Sequence, residues 1–314
     1  MRQVPLGASE VGAIGLGCVG MSAEYDPSQQ DDTRSLTVLR RAVELGVTLF
    51  DTADVYGPFV NEELVGRALG PHRAEVVIAT KAGLVHDPDQ GREVPNGRPD
   101  HLRAACEGSL RRLGVEVIDL YQLHRVDPAV PVEESWGAMA ELVARGWVRH
   151  LGLCEVEVAT LERAHAIHPV TSVQSELSLW TRGPLDEVVP WCERHHATFL
   201  PYAPLGRGYL TGTITHARFE QRDIRAGNPR FTDAAIAANR PLVDEIRAVA
   251  SEVDATPAQV ALAWLLGRSP RLVAIPGTKR RRYLEENVAA ADLRLAPEHQ
   301  RRLDALPPPV GERY

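Results

Sequence analysis

The 314-residue sequence predicts a single-domain α/β chain spanning residues 1–314 and folded as a (β/α)8 TIM barrel. Three observations predict it. Eight short apolar, β-branched runs alternate with longer amphipathic segments. Glycines stand where several of those segments should end, at Gly46, Gly70, Gly114 and Gly146. The length exceeds one average domain, yet barrels of about 250 residues routinely form a single one, and no low-complexity linker or internal repeat divides the chain.

In chain order, strands are predicted at 13–17, 48–51, 76–80, 118–123, 150–153, 172–174, 198–201 and 272–275. Helices are predicted at 33–45, 62–69, 100–113, 132–144, 158–165, 185–195, 257–266 and 283–291. Thr256 followed by Pro257 is an N-cap with proline at the first helical position. Eight strands each followed by a helix close most simply into a barrel; an open, doubly wound sheet is the alternative. Additions to the repeat are an N-terminal hairpin at 3–11, an insertion at 211–239, extra C-terminal helices at 240–253 and 298–306, and an irregular proline-rich tail at 307–314.

Composition narrows the function classes. No charge-free stretch approaches the ~20 residues a spanning helix needs, and Glu10 interrupts any apolar leader, so a cytoplasmic protein is expected, with no membrane partner. Cys18, Cys106, Cys154 and Cys192 are far apart and form no C-x-x-C pair, which argues against a disulfide framework and a zinc knuckle. The formal net charge of −7 weighs against nucleic acid as a partner. Only Lys81 and Lys279 are lysines among the 35 basic residues, so each lysine raises a specific question.

In a parallel barrel the reactive side chains sit at the C-terminal strand ends. The second strand runs out through Asp51-Thr52-Ala53-Asp54-Val55-Tyr56, the third through Thr80-Lys81 and the fourth through Gln122-Leu123-His124. Asp51, Tyr56, Lys81 and His124 therefore converge on one rim. This quartet suits protonation of a carbonyl oxygen. A tyrosine with an ordinary pKa near about 10 is a poor acid at neutral pH, but an adjacent ammonium favours the phenolate; Asp51 is placed to keep Lys81 charged, and His124 to hydrogen-bond the substrate oxygen.

The run from Leu49-Phe50-Asp51-Thr52-Ala53 through Tyr56-Gly57, with Glu63 and Gly66 following, resembles the signature of the aldo-keto reductase superfamily. The context Leu123-His124-Arg125-Val126-Asp127-Pro128 is closer to its bacterial, fungal and plant branch. The resemblance spans nearly the whole chain. It implies the barrel, NADPH-dependent reduction of a small-molecule aldehyde or ketone, and Asp51, Tyr56, Lys81 and His124 as the catalytic tetrad with Tyr56 as general acid. It leaves the physiological substrate and the oligomeric state open.

For the cofactor, the resemblance implies Cys18 and Val19 beside the nicotinamide ribose, Asp51 and Cys154-Glu155 near the ring, Gln174 on the carboxamide and Tyr202 stacked on the nicotinamide. Independently, Pro204, Leu205, Gly206, Arg207 and Gly208 form a glycine-rich turn fit for a pyrophosphate. The run Gly277-Thr278-Lys279-Arg280-Arg281-Arg282-Tyr283 opens a helix with concentrated positive charge, suited to a phosphate monoester. By resemblance, Thr278 and Lys279 hold the 2′-phosphate and Glu286 or Asn287 lies near the adenine. Two positions depart from the family pattern. Cys154 replaces a usual serine and donates hydrogen bonds more weakly, and Tyr283 stands where arginine is frequent, with Arg280 or Arg282 as substitutes.

Other motifs read differently. Gly15-Leu16-Gly17-Cys18-Val19-Gly20 fits a dinucleotide fingerprint, but no helical periodicity follows it, so it is the first barrel loop. His165, His168, His195 and His196 are expected in packing or surface roles, and no metal is predicted. Two other function classes remain for this sequence: a cofactor-binding regulatory or sensor subunit with little turnover, and a metal-dependent barrel hydrolase.

Overall fold

The computed structural model describes residues 1–313. Strands β1 (Gln3–Leu6) and β2 (Ser9–Gly12) pair as the expected hairpin. Strands β3 (Leu16–Gly17), β4 (Leu49–Asp51) and β5 (Val77–Ala82) begin a parallel sheet, and β6 (Leu84–Asp87) and β7 (Arg92–Pro95) form a second hairpin. The sheet continues through β8 (Ile118–Leu123), β9 (Val148–Cys154), β10 (Ser172–Glu176) and β11 (Thr198–Tyr202). Residues 272–277 close it: Leu272 bridges Phe199 on one side, while Ala274 and Gly277 bridge Ile14 and Gly17 on the other. The predicted eighth strand thus exists as a closing stave.

Helices α1 (Asp32–Glu44), α2 (Val60–Leu69), α3 (Pro99–Leu113), α4 (Val132–Ala144), α5 (Val158–His165) and α6 (Val188–Arg194) pack outside the sheet, followed by α7 (Asp233–Ala238), α8 (Arg240–Glu252), α9 (Pro257–Leu266), α10 (Arg281–Ala289) and α11 (Pro297–Asp304). The amphipathic logic is plain in α1, which buries Ser35, Val38, Leu39 and Ala42, the i, i+3, i+4, i+7 stripe. Thr256 and Gln259 form a reciprocal capping box at the start of α9, with Pro257 inside it. None of the helices described is long and apolar enough to cross a membrane.

The structure departs from the sequence expectation in three places, each for a local reason. The helix expected from 185 starts only at Val188, because the ring of Pro190 would clash with a carbonyl one turn earlier. The β6–β7 hairpin was not expected; its strands are four residues each and largely solvent-facing, so they carry little apolar alternation. Helix α7, capped by Thr232 inside the predicted insertion, has six residues, too few for a readable period.

Glycines of the apparent dinucleotide fingerprint serve barrel closure. A Cβ on Gly17 would lie 2.8 Å from the Ile275 carbonyl oxygen, and one on Gly15 3.0 Å from that of Leu49. Both obstacles are backbone and cannot swing away. Gly17→Ala is therefore expected to destabilise the fold by about 3 kcal/mol, the upper part of the overpacking range, read as a lowered urea midpoint with an unchanged slope. A variant as stable as the parent would show that the closing stave is free to shift.

By strand parity Leu16, Phe50, Ile78, Leu151 and Phe199 are buried on the helix-facing side of the sheet, while Leu49, Ala79, Leu120 and Leu200 make the deeper part of the barrel interior apolar. Towards the C-terminal strand ends it turns polar: Asp51, Lys81, Gln122 and Gln174 are all buried. Gly152 makes room for this layer, since a Cβ there would meet Ser172 Oγ at 2.2 Å and Gln122 Cγ at 3.0 Å.

Candidate active site

The polar layer is a connected network. Lys81 Nζ donates to Asp51 Oδ1 at 2.5 Å, to the Thr52 carbonyl at 2.8 Å and to Tyr56 Oη at 3.2 Å. Asp51 Oδ2 accepts from Gln174 at 2.8 Å and from Gln122 at 3.3 Å. Strand register makes this possible: β4, β5 and β8 are successive neighbours, with Asp51 beside Ala79 and Lys81 beside Gln122. Tyr56 arrives from the loop after β4, with its ring edge-on to His124 at a centroid distance of 5.9 Å. The four residues predicted to converge do so.

Electrostatics revise one expectation. Burial raises the Tyr56 phenol above its ordinary value, and the neighbouring Lys81 offsets this only in part. The phenol is thus held neutral in the free protein, rather than acidified outright as the sequence suggested. Burial also disfavours the Lys81 ammonium, but Asp51 and the phenol oxygen outweigh it and the group is held charged. His124 is pushed well below its ordinary value by burial and by the Lys81 and Arg125 cations. A neutral imidazole results, and its buried Nδ1 has no hydrogen-bond partner among the described residues. Such a ring orients a polar ligand by hydrogen bonding; it is not a cationic acid.

Sequence reading missed Gln122 as a member of this layer. A signal existed, because in β8 it shares the inward parity of His124 two residues on. Met21, Leu177 and Trp180 near the mouth are buried. Trp180 packs between Tyr209 and Phe231, at centroid distances of 4.4 and 5.5 Å, because Gly206 has no Cβ to displace it.

The residues assigned to a cofactor lie on the same rim. Tyr202 ends β11 beside Glu176 of β10, and Cys154 ends β9 beside Gln174. Three non-glycine residues here adopt left-handed backbone, Glu155 (φ 53°), Ala203 (φ 45°) and Arg207 (φ 52°), a conformation that costs energy and clusters at functional sites. The Cys18 sulfur is fully buried and faces the Leu16 carbonyl, and its backbone is engaged as well, its N–H donating to the Asp51 carbonyl and its carbonyl accepting from Asn61, each at 2.9 Å; half-buried Val19 lies next to it. Cys154 is likewise buried, and its thiol is pushed up to about 12 by that burial. Gln174 is engaged with Asp51.

In the turn Pro204-Leu205-Gly206-Arg207-Gly208, the Arg207 guanidinium is 3.1 Å from the fully buried Glu176 carboxylate. That one carboxylate is shared with Arg230 at 3.5 Å and Arg313 at 2.9 Å, so positive charge exceeds negative around it. The Glu155 carboxylate stays below its ordinary range although burial acts the other way, because Arg313 pairs with it.

At the far side, Lys279 and Thr278 are half-buried after the closing stave. Thr278 Oγ1 accepts from the Arg280 backbone N–H at 3.1 Å, and Arg280 reaches Gln29 at 3.4 Å. Gln29 lines a cleft of about 370 Å³ together with Asp26, Phe219, Asp223 and Arg225. The segment after β11 arches back over the mouth, where the Ile224 N–H bonds the Glu24 carbonyl at 2.8 Å and Arg225 lies over the Tyr25 ring. Gly277 is part of the barrel closure, and Tyr283 is exposed on α10 with Arg280 over its ring at 5.9 Å. Asn287 is buried, and Glu286 is committed to the Thr256 hydroxyl at 2.6 Å, tying α10 to the cap of α9. Glu286 is thus not a ready adenine contact.

The histidine pairs sit in packing roles in part: His165 meets Trp191 and His195 edge-on, and His195 stacks on Trp191 at 4.3 Å. Among the described residues no group of three or more His, Cys, Asp or Glu side chains is arranged to hold a metal ion.

Comparison with known proteins agrees with this fold. The model of the aldo/keto reductase family matches residues 13–307. A soybean (Glycine max) protein described as probable aldo-keto reductase 1 is 41% identical, over 98% of this chain and 89% of its own length. Among solved structures, the glycerol dehydrogenase of Gluconobacter oxydans superposes with a TM-score of 0.87 at 28% identity, over 96% of this chain and 94% of that one. An aldo/keto reductase from Klebsiella pneumoniae, solved with NADP and acetate, gives a TM-score of 0.77 at 29% identity, over 100% and 98% of the two chains.

Proposed function

The chain belongs to the aldo/keto reductase family, and from that premise we propose that it is an NADPH-dependent reductase of an aldehyde or ketone with Tyr56 as the proton donor. The observation that carries the reading is the Lys81 ammonium held 3.2 Å from the Tyr56 hydroxyl and 2.5 Å from Asp51. Bound NADPH supplies the hydride that reaches the carbonyl carbon. Tyr56 gives its proton to the carbonyl oxygen as negative charge develops there, and Lys81 stabilises the phenolate that remains. Asp51 keeps Lys81 charged in a buried setting. His124, neutral and with an unsatisfied ring nitrogen, orients the carbonyl.

The residues present fit the cofactor. Tyr202 and Glu155, joined through Arg313, and Gln174, whose backbone carbonyl accepts from the Glu155 N–H at 2.9 Å, would form the platform for the nicotinamide ring. The backbone of 204–208 offers a turn for the pyrophosphate, and Lys279 and Thr278 stand at the opening of α10. The free, buried cysteines suit a reducing compartment, and we place the protein in the cytoplasm.

The test is direct: the purified protein should oxidise NADPH steadily with a simple aldehyde. Lys279→Ala should weaken NADPH about ten-fold to a hundred-fold, since charge-assisted phosphate contacts are worth about 1.5–3 kcal/mol, and should leave NADH nearly unchanged. Equal weakening of both would contradict the 2′-phosphate assignment. Binding without turnover would favour a sensor subunit instead.

A further inference from the structure

The segment after α11 returns to the barrel mouth. Its backbone is pinned there: Asn239 exchanges hydrogen bonds with Val310 at 2.8 and 2.9 Å, and Asn228 donates to the Arg313 carbonyl at 2.8 Å. Gly311 lies against Pro229 and Arg230 with no room for a Cβ. This anchoring delivers one side chain, Arg313, into the mouth. Its guanidinium grips both Glu155 oxygens at 2.6 and 2.8 Å, reaches Glu176 at 2.9 Å, and hydrogen-bonds the Tyr202 hydroxyl.

These contacts tie Glu155 of one strand end to Tyr202 of another. Glu155 sits in left-handed backbone at the end of β9, and its Oε1 also accepts from the Glu176 N–H at 2.8 Å. Tyr202 ends the neighbouring part of the rim on β11. A planar fork with donors on both edges sets the angle between a carboxylate and a phenol as a single ammonium cannot. We propose that Arg313 is a positioning residue for hydride transfer, clamping Glu155 and Tyr202 so that the nicotinamide end of the cofactor is held in one orientation. The inference rests on the reading of those two residues as nicotinamide contacts. The residue acts through them.

The experiment compares Arg313→Ala and Arg313→Lys with the parent, using NADPH and adenosine 2′,5′-bisphosphate, which lacks the nicotinamide. Arg313→Ala should weaken NADPH and lower kcat, each by about ten-fold, the effect of losing a charge-assisted contact. Binding of adenosine 2′,5′-bisphosphate should stay within about two-fold, which also shows that the variant is folded. Arg313→Lys should fall between the two. Unchanged NADPH binding and kcat would overturn the proposal, as would equal weakening of both ligands, which would mark a structural role. Tighter NADPH binding in Arg313→Ala would overturn it too, by showing that the arginine competes with the ring. A parent protein that binds adenosine 2′,5′-bisphosphate but not NADPH would instead overturn the nicotinamide assignment beneath it.

Discussion

Tyr56→Phe is expected to lower kcat by about 10²- to 10⁴-fold, the usual contribution of a positioned proton donor, with NADPH affinity nearly unchanged. The substitution removes one oxygen and keeps the ring. Lys81 retains Asp51 and the Thr52 carbonyl as partners, so its charge stays satisfied and the fold should lose no more than about 1 kcal/mol. Because burial holds the phenol neutral in the free protein, the proton is available over the neutral range and is released only when a carbonyl oxygen above it gains charge. Initial rates with a saturating aldehyde, together with a fluorescence titration of NADPH, separate the two effects. A Phe variant that keeps more than a tenth of the parent's turnover would remove Tyr56 from the acid role.

Lys81→Met should have the second large effect, on stability as well as rate. The Lys81–Asp51 pair is almost fully shielded from water, and removing one partner of a buried pair costs about 3–5 kcal/mol because the other charge is stranded. Gln122 and Gln174 still donate to Asp51, which places the loss nearer the lower figure. Adding Asp51→Asn to the Met variant removes the stranded charge and should restore most of the stability while activity stays lost. Urea unfolding of the single and double variants, beside their turnover rates, gives both numbers. If Lys81→Met unfolds at the parent's urea midpoint, the pair is not the buried ion pair described.

These results would bear on residues that were unevenly legible in the sequence. Asp51, Lys81 and His124 were readable because each ends a strand whose apolar run is short and bounded, and barrel topology sends successive strand ends to one rim. The alternation of strands and helices was readable for the same reason: burial on a sheet or a helix face imposes a local period. Even the false dinucleotide motif could be rejected locally, by the missing helix after Gly20.

Other features depend on contacts that no period encodes. The direction of the Tyr56 shift follows from how deeply the folded chain buries the phenol, which outweighs the nearby cation. Trp180 is core, because Gly206 in the turn after β11 leaves space for it. Arg313 meets Glu155 across 158 positions, and Glu286 is diverted to the cap of α9. By itself, then, the sequence determined the strands and helices of the barrel repeat and which side chains end those strands, because hydrophobic periodicity and chain direction are local. Only the tertiary structure decided which charges are matched, which rings are buried and which distant arginine reaches the mouth, because desolvation and pairing depend on neighbours brought together from far along the chain.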